Sequence, residues 1–90
     1  MRIDRFLHCI RIVKSRTLAQ ALIETGHIRI DGKRVEKPSE AVREGSVIAL
    51  PLHGTTRVFK VLSMPLRRGP AAEARACYEE VGIDGRSAAT

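Results

Sequence analysis

Lysine and arginine recur at Arg5, Arg11, Lys14 and Arg16, and again at Arg29, Lys33, Arg34 and Lys37. On a rigid surface such side chains neutralise phosphates and release the counterions condensed on a nucleic acid. His27, between the two groups, is able to donate to a phosphate or a 2′-hydroxyl. Any one of these residues could be an ordinary solvated side chain. Together they make a footprint for a polyanion, because residues 1–37 hold 9 basic side chains against 4 acidic ones.

Other chemistry is poorly provided for. His8 and Cys9 are neighbours, but on a helix they point about 100° apart, and no orienting acid accompanies them. Glu79 and Glu80 read as a solvated helix face, and His53 as a surface turn residue. Cys9 and Cys77 lie far apart and near no zinc-ligand spacing, so both are expected as reduced thiols. No enzyme, cofactor or metal is expected. Phe6, Phe59 and Tyr78 are the only aromatic residues, and Phe6 and Phe59 fall at core positions. Single-strand readers stack bases on exposed rings. Their scarcity directs recognition to phosphates and shape, hence to structured RNA rather than an unpaired strand.

The elements that position these residues follow from periodicity. Ile3, Phe6, Leu7, Ile10 and Val13 share one helical face, with Asp4, Arg5, His8 and Arg11 on the opposite arc and Ile12 also pointing outward. The spacing predicts a helix over 3–13. Ser15 caps a second helix running to about Thr25, with Leu18, Ala19, Leu22 and Ile23 buried and Arg16, Gln20 and Glu24 on an outer row. Replacing Arg16 by Glu should therefore weaken RNA binding with little loss of stability. Gly26 ends that helix. Alternation then begins: Asp31-Gly32 makes a tight hairpin, Glu44-Gly45 turns into a strand over 47–50, and a last strand covers 57–62. Pro70 starts a helix over 71–81. The expected fold is α+β, with two packed helices against a small, mainly antiparallel sheet and a C-terminal helix. Residues 1–66 form the binding domain, 67–82 a helical extension and 83–90 a flexible tail.

The formal charge of +6 over 90 residues belongs wholly to residues 1–66, because the 4 basic and 4 acidic side chains that follow cancel. With 43% hydrophobic and 29% charged residues, the composition is that of a folding sequence. No apolar run suits a membrane span or a signal peptide, and a cytoplasmic, monomeric protein without a membrane partner is expected. The competing reading is a non-enzymatic interaction or regulatory module whose basic face contacts an acidic protein.

Three motifs in order, Arg2-Ile3-Asp4-Arg5-Phe6-Leu7, Lys14-Ser15-Arg16-Thr17-Leu18-Ala19 and Gly26-His27-Ile28-Arg29-Ile30-Asp31-Gly32-Lys33, resemble the S4 RNA-binding domain over about residues 1–62. That domain is shared by a small-subunit ribosomal protein, bacterial pseudouridine synthases and tyrosyl-tRNA synthetases. Within the family, Arg67-Arg68-Gly69-Pro70-Ala71-Ala72-Glu73-Ala74 and the following Tyr78-Glu79-Glu80 resemble the ribosome-associated heat-shock protein fifteen type. The resemblance implies an S4-like (alpha-L) fold and a cytoplasmic protein on ribosomal RNA. In that type the site is the free large subunit carrying a stalled nascent chain, in a heat-shock and ribosome-recycling role. It assigns Arg2, Arg5, Lys14, Ser15, Arg16, Gln20, His27, Arg29 and Lys33 to the RNA face.

Overall fold

A computed structural model describes residues 1–52 and 54–83. His53 and the tail expected beyond Ile83 lie outside the described residues. Apolar spacing forms the first helix, α1 (Ile3–Cys9), which buries Ile3, Phe6 and Leu7 completely. The helix stops at Cys9 rather than at Val13 because Arg11 takes a left-handed φ of 64°. The Arg11 N–H donates to His8 O at 3.1 Å and the Ile12 N–H to Leu7 O at 3.1 Å. This pairing closes a helix C-terminus, normally around glycine. Val13 is still buried, and Ile12 packs half-buried against the core instead of pointing outward.

The second helix, α2 (Arg16–Glu24), begins where expected, with Ser15 Oγ accepting from the Leu18 N–H at 3.1 Å. Its burial centres on Ala19 and Ile23. Leu18, expected inside, is 49% exposed, because α2 meets α1 along the Ala19–Ile23 row and Leu18 lies at its rim. Gly26 follows at φ +80° with its N–H on Ile23 O.

The sheet is antiparallel throughout, in the order β2-β1-β3-β4-β5. Strands β1 (Arg29–Ile30) and β2 (Lys33–Arg34) are joined by Asp31 and Gly32 at φ 51° and 84°, the left-handed pair a two-residue hairpin needs. Asp31 also fixes the next strand, since its Oδ1 accepts from the Val47 N–H at 2.9 Å. Strands β3 (Val47–Leu52) and β4 (Thr55–Val61) pair along their full length and bury Ile48, Leu50, Phe59 and Val61 under the helices.

The helix expected over 71–81 is a short α3 (Ala71–Arg75) followed by β5 (Tyr78–Ile83). Pairing with the open edge of β4 outweighs the helical spacing, since tertiary contacts override local propensity. The Tyr78 ring meets Phe59 edge-on at 5.1 Å, and Glu80 accepts from Arg57 Nε and Nη2 at 2.9 and 2.7 Å. The segment over 67–82 is therefore only partly helical, and its second half completes the sheet. Among the described residues, no helix is long and apolar enough to cross a membrane.

Candidate nucleic-acid interface

The helix pair is organised around a residue assigned to the outer arc by the sequence pattern. Asp4 is 0% exposed. On a helical wheel it lies only about 60° from Leu7, on the flank where α2 packs. Its carboxylate accepts from Arg2 Nε and Nη2 at 3.1 Å each, Arg16 Nη2 at 3.2 Å, Gln20 Nε2 at 3.1 Å and the Arg5 N–H at 2.7 Å. Burial works to raise the Asp4 pKa, but the hydrogen bonds from Gln20, Arg2, Arg16 and the Arg5 backbone outweigh it, so the carboxyl titrates below its ordinary value. Three side chains assigned to the RNA face, Arg2, Arg16 and Gln20, are thus gathered on one buried anion. The two arginine side chains remain 49% and 45% exposed, with donors to spare. Arg16 is not the unattached outer-row residue the sequence suggested, so Glu at this position would face Asp4.

Arg2 is held from the backbone side as well, by pairing of the N-terminal residues with the segment around Ala41. Ser15 is spent on the α2 cap, and Lys14 beside it is exposed. Arg5 and Arg11 project from α1 and its cap onto the segment after β4: Arg5 Nη2 donates to Leu66 O at 3.3 Å and Arg11 Nη1 to Gly69 O at 2.9 Å. From that segment Arg68 Nε donates back to His8 O at 3.1 Å. Burial, then the charges of Arg68 and Arg16, hold the His8 pKa below its ordinary value, a sign of positive potential over this side of α1.

The second group lies on the hairpin. His27, Arg29, Lys33, Arg34 and Lys37 are all exposed. Arg29 Nη1 donates to Gly32 O at 3.3 Å across the turn, and Arg34 sits 3.6 Å from Glu36 in an exposed ion pair, an arrangement that leaves its charge largely available. Phe6 and Phe59 are fully buried, and Tyr78 is half-buried on Phe59. Among the described residues, no group of three or more His, Cys, Asp and Glu side chains could hold a metal ion.

Helix pair, hairpin and sheet, with cations on both arms, define the class: the chain belongs to the S4 domain family, whose S4 domain model matches residues 1–48. Among individual proteins, it is similar to heat shock protein 15 of Escherichia coli (strain K12), at 35% identity over 80 residues, which are 89% of this chain and 59% of that protein. It therefore spans about three fifths of that relative's length. Vibrio cholerae heat shock protein 15, solved as a trimer, superposes with a TM-score of 0.83 at 31% identity, covering 89% of this chain and 80% of that one. The small ribosomal subunit protein uS4 of Lacticaseibacillus casei (strain BL23) is 45% identical over 49 residues, 54% of this chain and 24% of that protein. The first half of the chain is thus similar to part of a ribosomal protein, and nearly all of it to heat shock protein 15.

Proposed function

We propose that this protein binds structured RNA, ribosomal RNA in particular, through phosphate contacts from the helix pair and the hairpin. The observation that carries the reading is the Asp4 cluster. It holds Arg2, Arg16 and Gln20 at fixed positions while leaving the arginine heads half exposed, which lowers the ordering cost of gripping a phosphate. Lys14, His27, Arg29, Lys33, Arg34 and Lys37 extend the surface, with Arg5 and Arg11 at its other side. The likeness to uS4 supports a ribosomal partner. The likeness to heat shock protein 15 supports the finer proposal, a cytoplasmic factor on free large subunits with stalled nascent chains. No catalytic role is assigned.

Fluorescence anisotropy with labelled ribosomal RNA fragments across a salt series tests the reading. With about six phosphates engaged, log affinity should fall against log salt with a slope of roughly −4 to −5. A flat dependence, or equal binding to polyglutamate, would favour the acidic-protein partner instead. Sedimentation with ribosomal particles then separates large-subunit binding from binding to small subunits. Light scattering distinguishes a monomer from a trimer like the Vibrio relative.

A further inference from the structure

We infer that the strap from Leu66 to Gly69 builds a second phosphate-binding surface over α1, with Arg68 joining Arg5 and Arg11 in gripping the RNA backbone. The inference rests on the RNA-binding reading and extends it beyond the segment matched by the S4 domain, which ends at residue 48.

Three arginine-to-carbonyl hydrogen bonds lace the strap to the helix: Arg5 to Leu66 O at 3.3 Å, Arg11 to Gly69 O at 2.9 Å and Arg68 to His8 O at 3.1 Å. A carbonyl fixes a guanidinium without cancelling its charge. A carboxylate partner does cancel it, and Arg2, Arg16, Arg34, Arg57 and Arg67 all have one. Among the described residues, Arg5, Arg11 and Arg68 form no salt bridge. Each guanidinium carries five N–H donors, and each of these bonds uses one of them. The three heads are therefore preordered, positive and largely unspent, the conditions under which a planar guanidinium captures a phosphate with little further loss of freedom.

The geometry also accounts for the position of Arg68 in a stretch whose net charge is zero. Glu80 is occupied by Arg57, and Glu73 stands 3.7 Å from Arg67. Neutral composition thus conceals a local separation of charge, with the acids drawn to Arg57 and Arg67 while Arg68 points to α1.

The test uses the full chain, a fluorescein-labelled RNA stem-loop and the variants Arg68→Ala and Lys33→Ala, the latter as a hairpin control. Arg68→Ala should weaken binding about tenfold and make the log–log salt slope shallower by about one. Wild-type affinity and slope in Arg68→Ala, with Lys33→Ala weakened, would overturn the strap surface and leave the RNA reading standing. Absence of binding by the wild type would overturn both. A readout independent of the strap's own integrity is the His8 imidazole, followed by NMR in the wild type. Phosphates seated beside Arg68 should raise its pKa on RNA addition, and an unchanged titration in the saturated complex would overturn the proposal.

Discussion

Asp4→Asn tests the organisation of the helix pair most directly. The side chain is completely buried and takes five hydrogen bonds from Arg2, Arg5, Arg16 and Gln20. Bonds to a charged acceptor contribute roughly 1.5–3 kcal/mol each, so a simple sum would reach or exceed the stability of a typical domain, about 5–15 kcal/mol. That sum overstates the effect. Arg2 and Arg16 are 49% and 45% exposed, so water replaces the carboxylate for them. The uncompensated loss falls on the Gln20 amide and the Arg5 N–H, and asparagine turns its own NH2 toward a cluster of donors. A destabilisation of about 2–3 kcal/mol follows, which lowers the melting temperature of a small domain by roughly 10–20 °C. The pH dependence gives an independent check. Because the folded-state pKa of Asp4 is depressed, its stabilisation is complete above the unfolded value, near 4, and is lost as pH falls through the folded value. Asparagine does not titrate there. The gap between wild type and variant, measured by circular dichroism melts, should be widest at about pH 7 and narrow at about pH 2.5. Melting within about 2 °C of the wild type at neutral pH, or a gap that stays constant in acid, would refute the central role given to this carboxylate.

Other substitutions separate scaffold from surface. Arg16→Glu should lower the melting temperature more than Arg16→Ala, because glutamate places a second carboxylate against Asp4 whereas alanine removes one half-exposed bond, worth under about 1 kcal/mol. Equal melts for the two would show that Arg16 does not sense Asp4. Lys14→Glu and Lys33→Glu, at exposed positions, should leave stability within about 0.5 kcal/mol and weaken RNA binding, each making the salt slope shallower by about one. Gly26→Ala should cost about 1 kcal/mol in denaturant titrations. Its Cβ would meet Arg34 Cδ at an ordinary 3.7 Å, so the cost is that of a left-handed φ alone. A neutral Gly26→Ala would mean that the backbone there relaxes freely.

The sequence carried clear signals wherever local chemistry decides local structure. Ser15 as a cap, Gly26 as a helix stop and Asp31-Gly32 as a hairpin turn are dictated by residue type, and all appear at their expected positions. The signals failed where a distant partner decides. Nothing in Ala71 to Val81 announces that β4 needs a neighbour, so Tyr78–Ile83 reads as helix until the sheet edge is in view. The end of α1 was hidden because arginine occupies a left-handed position where glycine would have marked it. At the candidate site, the cationic residues were legible by type and spacing. Asp4 was not, because an acid in a first turn serves the helix dipole equally well. Only its angular position beside Leu7 pointed inward. Arg68 was masked by the neutral average of its neighbourhood.

The segment shared with the S4 family stops at residue 48, two residues into β3. What is inherited in common is thus not what stands alone. The shared helices and hairpin rest on Ile48 and Leu50, which are buried with Phe59 and Val61 from β4. A fragment cut at that border would lose this buttress and leave the stub of β3 with a bare hydrogen-bonding rim, open to the strand of any neighbour. The portable part of the molecule is a recognition head. Each protein that carries it has to furnish its own foundation, and here the foundation also lends the head an arginine.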